Sequence, residues 1–387
     1  MKHKARERGH HASRGWIMKR VMVGLMLIGA LSATACGGKK LIVGVVLPES
    51  GVAKTYGPSL KAGIKLAFDE AVAKNSPRGI EARYRDSMSN PEYAIKEVQE
   101  LVKGGAIMIV GGATSEEAKA MIPEARKANV VLISPSASEP GLASSGNPFF
   151  RMYPSDDTEA VVAARFLVGD RKAGKIMVLF QKGLYASGML PVFKDEVVKL
   201  GAEVVDELPI GPTDWDKNIT EALGARKPDA VFICGYGEET LATLSLLREA
   251  KFQGAVCASS AIGTSKIIER AGELAEGVFV PVLSIDFDAQ TEPIKSFVQK
   301  FKAANGGAMP DVYAAHGYDA AMMALAALQD PRPKDTNEIL HRLLSMGSKQ
   351  GVTGSFSFDE VGNSTHRPRM HQIRKGEFVD CDPTPAS

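Results

Sequence analysis

Several residue patterns in these 387 residues have spacings that could do chemistry, and most fail on context. Gly169-Asp170-Arg171-Lys172-Ala173-Gly174-Lys175 has the spacing of a phosphate-cradling P-loop. The next residue is Ile176, which offers no oxygen to magnesium, and the motif precedes a strand-like run where a P-loop must follow one. Gly111-Gly112 lacks the third glycine and the later ribose-binding acid of a dinucleotide site. No Gly-x-Ser-x-Gly elbow occurs. Of the seven histidines, His3, His10 and His11 fall in the basic leader, and His366 and His371 sit in a basic, turn-rich stretch. His316 lies in the helical run Ala314–Asp319, where packing is the expected role. No nucleophile–base pair and no metal-ligand spacing emerges, so the sequence predicts neither an enzyme nor a cofactor, and an envelope hydrolase is disfavoured.

What remains is a set of hydroxyls and aromatics just past strand-like runs, the places where open α/β sheets bind ligands. Thr114-Ser115-Glu116-Glu117 follows the run Ala106–Val110. A helix starting there presents free N–H groups beside a serine hydroxyl, suited to a carboxylate. Thr114-x-x-Glu117 is equally a capping box. Ser134-Pro135-Ser136-Ala137-Ser138-Glu139 follows the run Val130–Ile133, with Ser136-x-x-Glu139 open to the same capping reading. Tyr56, Tyr185 and Tyr236 also follow strands, a position usual for packing but suggestive when three segments repeat it.

The elements that must position these groups alternate regularly from residue 41. Strand-like, short β-branched runs fall at Leu41–Leu47, Ile80–Asp86, Ala106–Val110, Val130–Ile133, Lys175–Phe180, Ala202–Asp206, Asp229–Cys234, Ala255–Ala258 and Gly277–Val282, most of them apolar through their centres. Amphipathic stretches at Gly57–Lys74, Pro91–Lys103, Glu116–Lys127, Gly188–Leu200 and Glu238–Ala250 separate them. That pattern predicts parallel sheets covered on both faces, and two doubly wound sheets of four or five strands suit the length better than one wide sheet. The rhythm breaks near Pro148–Ser155 and again after Val282. Helical segments at Pro293–Ala304, Asp311–Gln329 and Thr336–Leu344 have no strands between them and are expected to return over the first sheet. The expected division is a first lobe of residues 41–155 with 285–348, a second of 156–284 with 349–378, and a disordered tail at 379–387.

Composition is that of a globular protein, 44% hydrophobic and 24% charged. The formal charge of +2 conceals two unlike parts. Residues 1–35 hold seven of the 47 bases and one of the 45 acids, leaving 40 bases against 44 acids, or −4, in the remainder. Such a body has no field for a phosphate backbone, so no nucleic-acid partner is expected. The basic start leads into the apolar run Val21–Leu31, shorter than the roughly 20 residues a membrane span needs, then into Leu31-Ser32-Ala33-Thr34-Ala35-Cys36. This is the layout of a signal peptide over residues 1–35, and it resembles the bacterial lipobox, with Cys36 as the lipid anchor and an exported, membrane-tethered location. Met18-Lys19-Arg20 would make a complete signal with Met18 as the start. Cys234, Cys257 and Cys381 show no CxxC spacing, and buried free thiols are expected unless Cys234 and Cys257 pair.

Longer motifs carry a resemblance over residues 41–378, in order. Leu47-Pro48-Glu49-Ser50-Gly51 with Tyr56-Gly57, Arg85-Asp86-Ser87-Met88-Ser89-Asn90-Pro91, Ile133–Ala137, Phe150–Asp156 and Pro310–Asp319 are similar to the type I periplasmic binding proteins, leucine/isoleucine/valine-binding branch. The resemblance implies two lobes closing on an amino acid for delivery to an inner-membrane ABC permease, with no cofactor and a monomeric receptor. It also implies roles. Ser115 would hold the ligand carboxylate, Ser138 would meet carboxylate and ammonium, and the Ser136 carbonyl would accept from the ammonium, with Ala137 between them in the loop. Tyr56 would line the side-chain pocket, and Tyr185 and Tyr236 would close from the second lobe. The family's ammonium-binding acid should fall at Ser260, so Glu238 or Glu239 must replace it or the ligand lacks an amine. The expected function is the solute-binding lipoprotein of an ABC importer; the alternative is an envelope regulator or sensor using the same fold.

Overall fold

The computed structural model describes Met1 and residues 40–381 apart from Ser284. The signal peptide, Cys36 and residues 382–387 lie outside the described residues. Five strands, β1 (Leu41–Leu47), β2 (Ile80–Asp86), β3 (Ala106–Gly111), β4 (Val131–Ser134) and β5 (Phe149–Arg151), form a wholly parallel sheet in the order β2-β1-β3-β4-β5. Every residue of β1 is buried, as covering on both faces demands. Helices α1 (Gly57–Lys74), α2 (Pro91–Lys103) and α3 (Ser115–Ala128) connect these strands.

A second sheet runs β14-β13-β10-β9-β8-β6-β7. Its parallel part is β6 (Lys175–Gln181), β7 (Glu203–Ile210), β8 (Ala230–Cys234), β9 (Ala255–Ala258) and β10 (Phe279–Val282). Helices α4 (Asp156–Arg165), α5 (Leu184–Lys199), α6 (Trp215–Arg226), α7 (Gly237–Glu249) and α8 (Ser265–Ala271) cover it. The sheet has seven strands, not five, because β13 (Arg369–Arg374) and β14 (Glu377–Asp380) add antiparallel to its edge. They turn through Lys375-Gly376, both at positive φ, as a two-residue hairpin requires.

Helices α9 (Ile294–Ala304), α10 (Val312–Ala327) and α11 (Thr336–Leu344) return to the first lobe as expected. Alanine-rich α10 packs backbone to backbone on α1. A Cβ on Gly63 would stand 1.9 Å from the Ala314 carbonyl oxygen, and one on Gly317 would stand 2.4 Å from that of Leu60. Only glycine fits either position.

Two expected boundaries are corrected. The hairpin of β11 (Lys349–Gly351) and β12 (Gly354–Phe356), assigned above to the second lobe, belongs with the first. The Val352 and Thr353 amides donate to the Asp319 carboxylate of α10 at 3.1 and 2.9 Å, and Phe356 is buried in the first lobe's core. Residues 379–381 are likewise not part of a disordered tail, because strand pairing runs to Asp380 and the Cys381 amide donates to the Met370 carbonyl. Cys234 and Cys257 are buried free thiols; on adjacent strands, Cys257 stands opposite Phe232.

Candidate functional site

In each sheet the strand order reverses beside one central strand, between β1 and β3 in the first and between β6 and β8 in the second. Open α/β sheets bind ligands at the carboxyl ends of strands at such points, and a polar cavity of about 30 Å³ lies there, lined from both lobes. Tyr56, Ser115, Ser136, Ser138, Tyr185, Tyr236 and Ser260 all line it. Ala137 does not: it is buried in the core around Leu132 and Phe149, and its amide donates to the Ser134 hydroxyl.

The first lobe's face is built by turns. Gly112, at φ +70°, bends the chain from β3 towards α3, and a Cβ there would meet the Ala118 backbone at 2.9 Å. The Thr114–Glu117 capping box forms: the Thr114 hydroxyl accepts from the Glu117 amide, while the Glu117 carboxylate accepts from the Thr114 amide and from the Ser87 hydroxyl. Capping and ligand capture coexist, because the box leaves the first-turn amides of Ser115 and Glu116 without an acceptor among the described residues. The Ser115 oxygen accepts from the Glu139 amide at 3.2 Å, which leaves its proton to donate into the cavity. Ser136 caps nothing; its hydroxyl donates to the Ala113 carbonyl at 2.7 Å.

Four side chains of the first lobe reach backbone of the second: Tyr56, Glu116, Asp311, which accepts from the Ser265 amide at 3.3 Å, and Tyr313, whose hydroxyl donates to the Ser260 carbonyl at 3.5 Å. The Tyr56 hydroxyl donates to the Ala261 carbonyl at 2.9 Å and accepts from the Gly237 amide at 3.0 Å. Burial raises its phenol above the ordinary value. Glu116 accepts from the Leu184 amide at 2.8 Å and from the Tyr236 hydroxyl at 3.2 Å. Tyr236 stacks on Tyr185 with ring centroids 5.4 Å apart and meets Tyr56 edge-on.

Neither substitute proposed for the missing acid stands at the cavity. Glu238 is exposed and ion-paired with Arg270, and Glu239 is absent from the lining. The acids lie one layer deeper, on the first turn of α4. Glu159 accepts from the Ser260 amide at 2.8 Å and from its hydroxyl at 2.6 Å. Asp156, completely buried, makes no well-aligned hydrogen bond among the described residues, with the Ser138 hydroxyl as its polar neighbour. Burial raises both carboxyls, Glu159 to about 7 and Asp156 well above its usual range, with Glu159 adding repulsion to Asp156. The nearby Arg151 guanidinium, 1% exposed, is held by the Glu139 carbonyl and the Asn363 side chain. Tyr153 and Tyr313 also line the cavity and were not anticipated. In sequence, Asp156-Asp157-Thr158-Glu159 reads as the ordinary acidic first turn of a helix, and nothing in it marks burial.

Two α/β lobes that offer the carboxyl ends of their parallel strands to one polar cleft define a two-lobed solute-binding protein. The branched-chain amino acid transporter substrate-binding protein LivJ of Streptococcus pneumoniae, solved with isoleucine, shares the fold: TM-score 0.81 at 24% identity, over 88% of this chain and 98% of that one. A solute-binding protein of an ABC transporter from R. palustris, solved with benzoate, superposes with a TM-score of 0.79 at 20% identity, over 89% and 96%. The chain belongs to the periplasmic binding protein family, whose profile matches residues 40–377. By sequence it is similar to Leu/Ile/Val-binding protein homolog 2 of Brucella abortus, 23% identical over 93% of this chain and 97% of the relative. It is also similar to the leucine-, isoleucine-, valine-, threonine- and alanine-binding protein of Pseudomonas aeruginosa, 23% identical over 87% and 91%. The family is one of binders, not enzymes. Among the described residues no group of three or more His, Cys, Asp or Glu is placed to hold a metal, and no helix is long and apolar enough to cross a membrane.

Proposed function

We propose that this protein is the solute receptor of an ABC importer, exported by the signal at residues 1–35 and tethered through lipidated Cys36. The observation that carries the reading is the double bridge of Tyr56, from one lobe to the Gly237 amide and Ala261 carbonyl of the other, directly over the polar cavity. Ligand that favours this arrangement shifts the lobes towards closure, and the closed surface is what a permease reads. The ligand is a small amino acid or a related carboxylate or amide. Its carboxylate meets the Ser115 hydroxyl and the free amides of the α3 first turn; its amine meets the Ser136 carbonyl, Ser138 and Ser260.

Alanine is the largest aliphatic residue in the lining, and the other residues all carry hydroxyls. A short or polar ligand side chain suits such walls. At about 30 Å³ the cavity has room for roughly two waters, so an amino acid enters while the lobes are apart, and the tyrosine rings shift to seat it as the lobes close. Thermal shift of the purified protein against L-alanine, L-threonine, L-leucine, L-isoleucine, L-valine, their amides and benzoate tests the reading. Ligand at 100 times its dissociation constant adds about 2.7 kcal/mol of stability. No shift with any of them would refute solute capture of this class. Tethering is checked separately: the parent should incorporate a labelled fatty acid and Cys36→Ser should not, and an unlabelled parent or an equally labelled variant would count against the anchor.

A further inference from the structure

We propose that Asp156 and Glu159 share one proton in the empty protein, and that an amine on the ligand, seated against Ser260, expels it. The inference rests on the amine-bearing ligand of the preceding reading. Asp156 and Glu159 stand three apart on α4 and so occupy one face of it. Both are buried, and no cation is hydrogen-bonded to either. Two negative charges there would face the single buried charge of Arg151, whose own hydrogen bonds go elsewhere. One retained proton makes the group neutral.

Ser260 connects the pair to the cavity. Its amide and its hydroxyl both donate to Glu159, so towards a ligand the serine oxygen can only accept. An ammonium satisfies that acceptor, and a second carboxylate does not. The Tyr153 and Tyr185 hydroxyls line the same cavity, are buried, and make no well-aligned hydrogen bond among the described residues, with the Ser260 hydroxyl beside Tyr153 and the Ser259 hydroxyl beside Tyr185. These open polar groups point to a ligand rather than to packing.

The titratable groups that face the pair are phenols and thiols, beginning with Tyr153 just before α4. Tyr185 faces it from α5, Cys234 from β8, Cys257 from β9, Tyr313 from α10, and Tyr236 from the start of α7. On α4 itself Asp157 is exposed, and Arg165 pairs with Glu196. β10 has no titratable side chain. β13, which touches α4, carries Arg369, paired with Asp380, together with His371 and Arg374. Charge balances in the exchange: the ammonium arrives with its protons and one proton leaves to solvent.

Calorimetry in two buffers of different ionisation enthalpy counts that proton, with L-alanine and L-threonine as probes and propionate as the amine-free control. Near one proton should be released at about pH 6 and almost none at about pH 8. Affinity for the amino acids should rise about tenfold from pH 5.5 to 6.5 and then level off. Glu159→Gln, and independently Asp156→Asn, should abolish the release in a protein that still melts cooperatively. Amino-acid binding without proton release at pH 6, or release that survives in both variants, would overturn the proposal. If neither amino acid binds, solute capture fails for this class, and carbon-13 titration of the side-chain carboxyls in the empty protein decides the pair alone. A carboxyl titrating near neutrality and lost in Glu159→Gln upholds the shared proton. Carboxyls titrating only in their ordinary range overturn it.

Discussion

Replacing Tyr56 by phenylalanine removes one oxygen and tests the closure mechanism. That oxygen donates to the Ala261 carbonyl and accepts from the Gly237 amide, both on the opposite lobe. In the closed protein the substitution leaves two buried backbone groups without a partner; with the lobes apart, water satisfies them. The cost therefore falls on closure and not on folding. At about 0.5–1.5 kcal/mol for each lost hydrogen bond, closure weakens by about 1–3 kcal/mol. That is roughly a five- to 150-fold loss of affinity for whatever solute closes the cleft. The ring stays, so its packing against Tyr236 and Tyr313 is kept. Single-molecule energy transfer between labels on α2 and α6 reads the closed fraction directly, and calorimetry reads the affinity. Tyr56→Phe with an unchanged closed fraction and an affinity within twofold of the parent would refute the bridge as a determinant of closure.

Other substitutions probe the scaffold and its charges. Gly63→Ala drives a methyl into the Ala314 carbonyl and should cost about 1–3 kcal/mol by urea denaturation; a neutral result would mean α1 and α10 are not in direct backbone contact. Arg151→Met leaves Asp156 and Glu159 with no buried cation and should cost about 3–5 kcal/mol. Adding Glu159→Gln should recover part of that loss, and strict additivity would show that the two sites do not interact. His316 is buried, with Nδ1 on the Val312 carbonyl and Nε2 unpartnered, and burial lowers its pKa to about 3. Its folded pKa lies below the unfolded value near 6.5, so the neutral ring's contribution is complete above about 6.5 and is lost as pH falls towards 3. His316→Phe should lose about 2 kcal/mol less than the parent between pH 7 and pH 5, and equal losses would contradict the buried neutral ring.

Much of the architecture is legible because strands covered on both faces leave continuous apolar runs. β1, β2, β9, α1 and α2 have the bounds their periodicity predicts. Helices α4, α6 and α8 were not anticipated. In α6 only Ile219 is buried, and α4 follows the hinge without an apolar stripe, so neither shows the amphipathic period on which detection depends. The hairpin at 349–356 was placed with the wrong lobe because its anchor, the Asp319 carboxylate, is a tertiary contact.

For the site, strand-end hydroxyls and tyrosines were visible by type and place, since the carboxyl ends of parallel strands are where such sheets bind. Seven of the eight expected residues line one cavity. The eighth, Ala137, differs because a small residue in a loop carries no sign of the direction it faces. The acids could not be found this way. Alternation of strand and helix, the break near residue 150 and the hydroxyls at strand ends are local properties, and the sequence by itself determined them. That Asp156 and Glu159 are buried behind Ser260, that Arg151 faces them without bonding them, and that Tyr56 reaches across to the other lobe were decided only by the tertiary structure. Those facts join residues as far apart as 56 and 261 or 159 and 260, and burial, which sets both the charge and the hydrogen-bonding demand of each group, exists only once the lobes have folded.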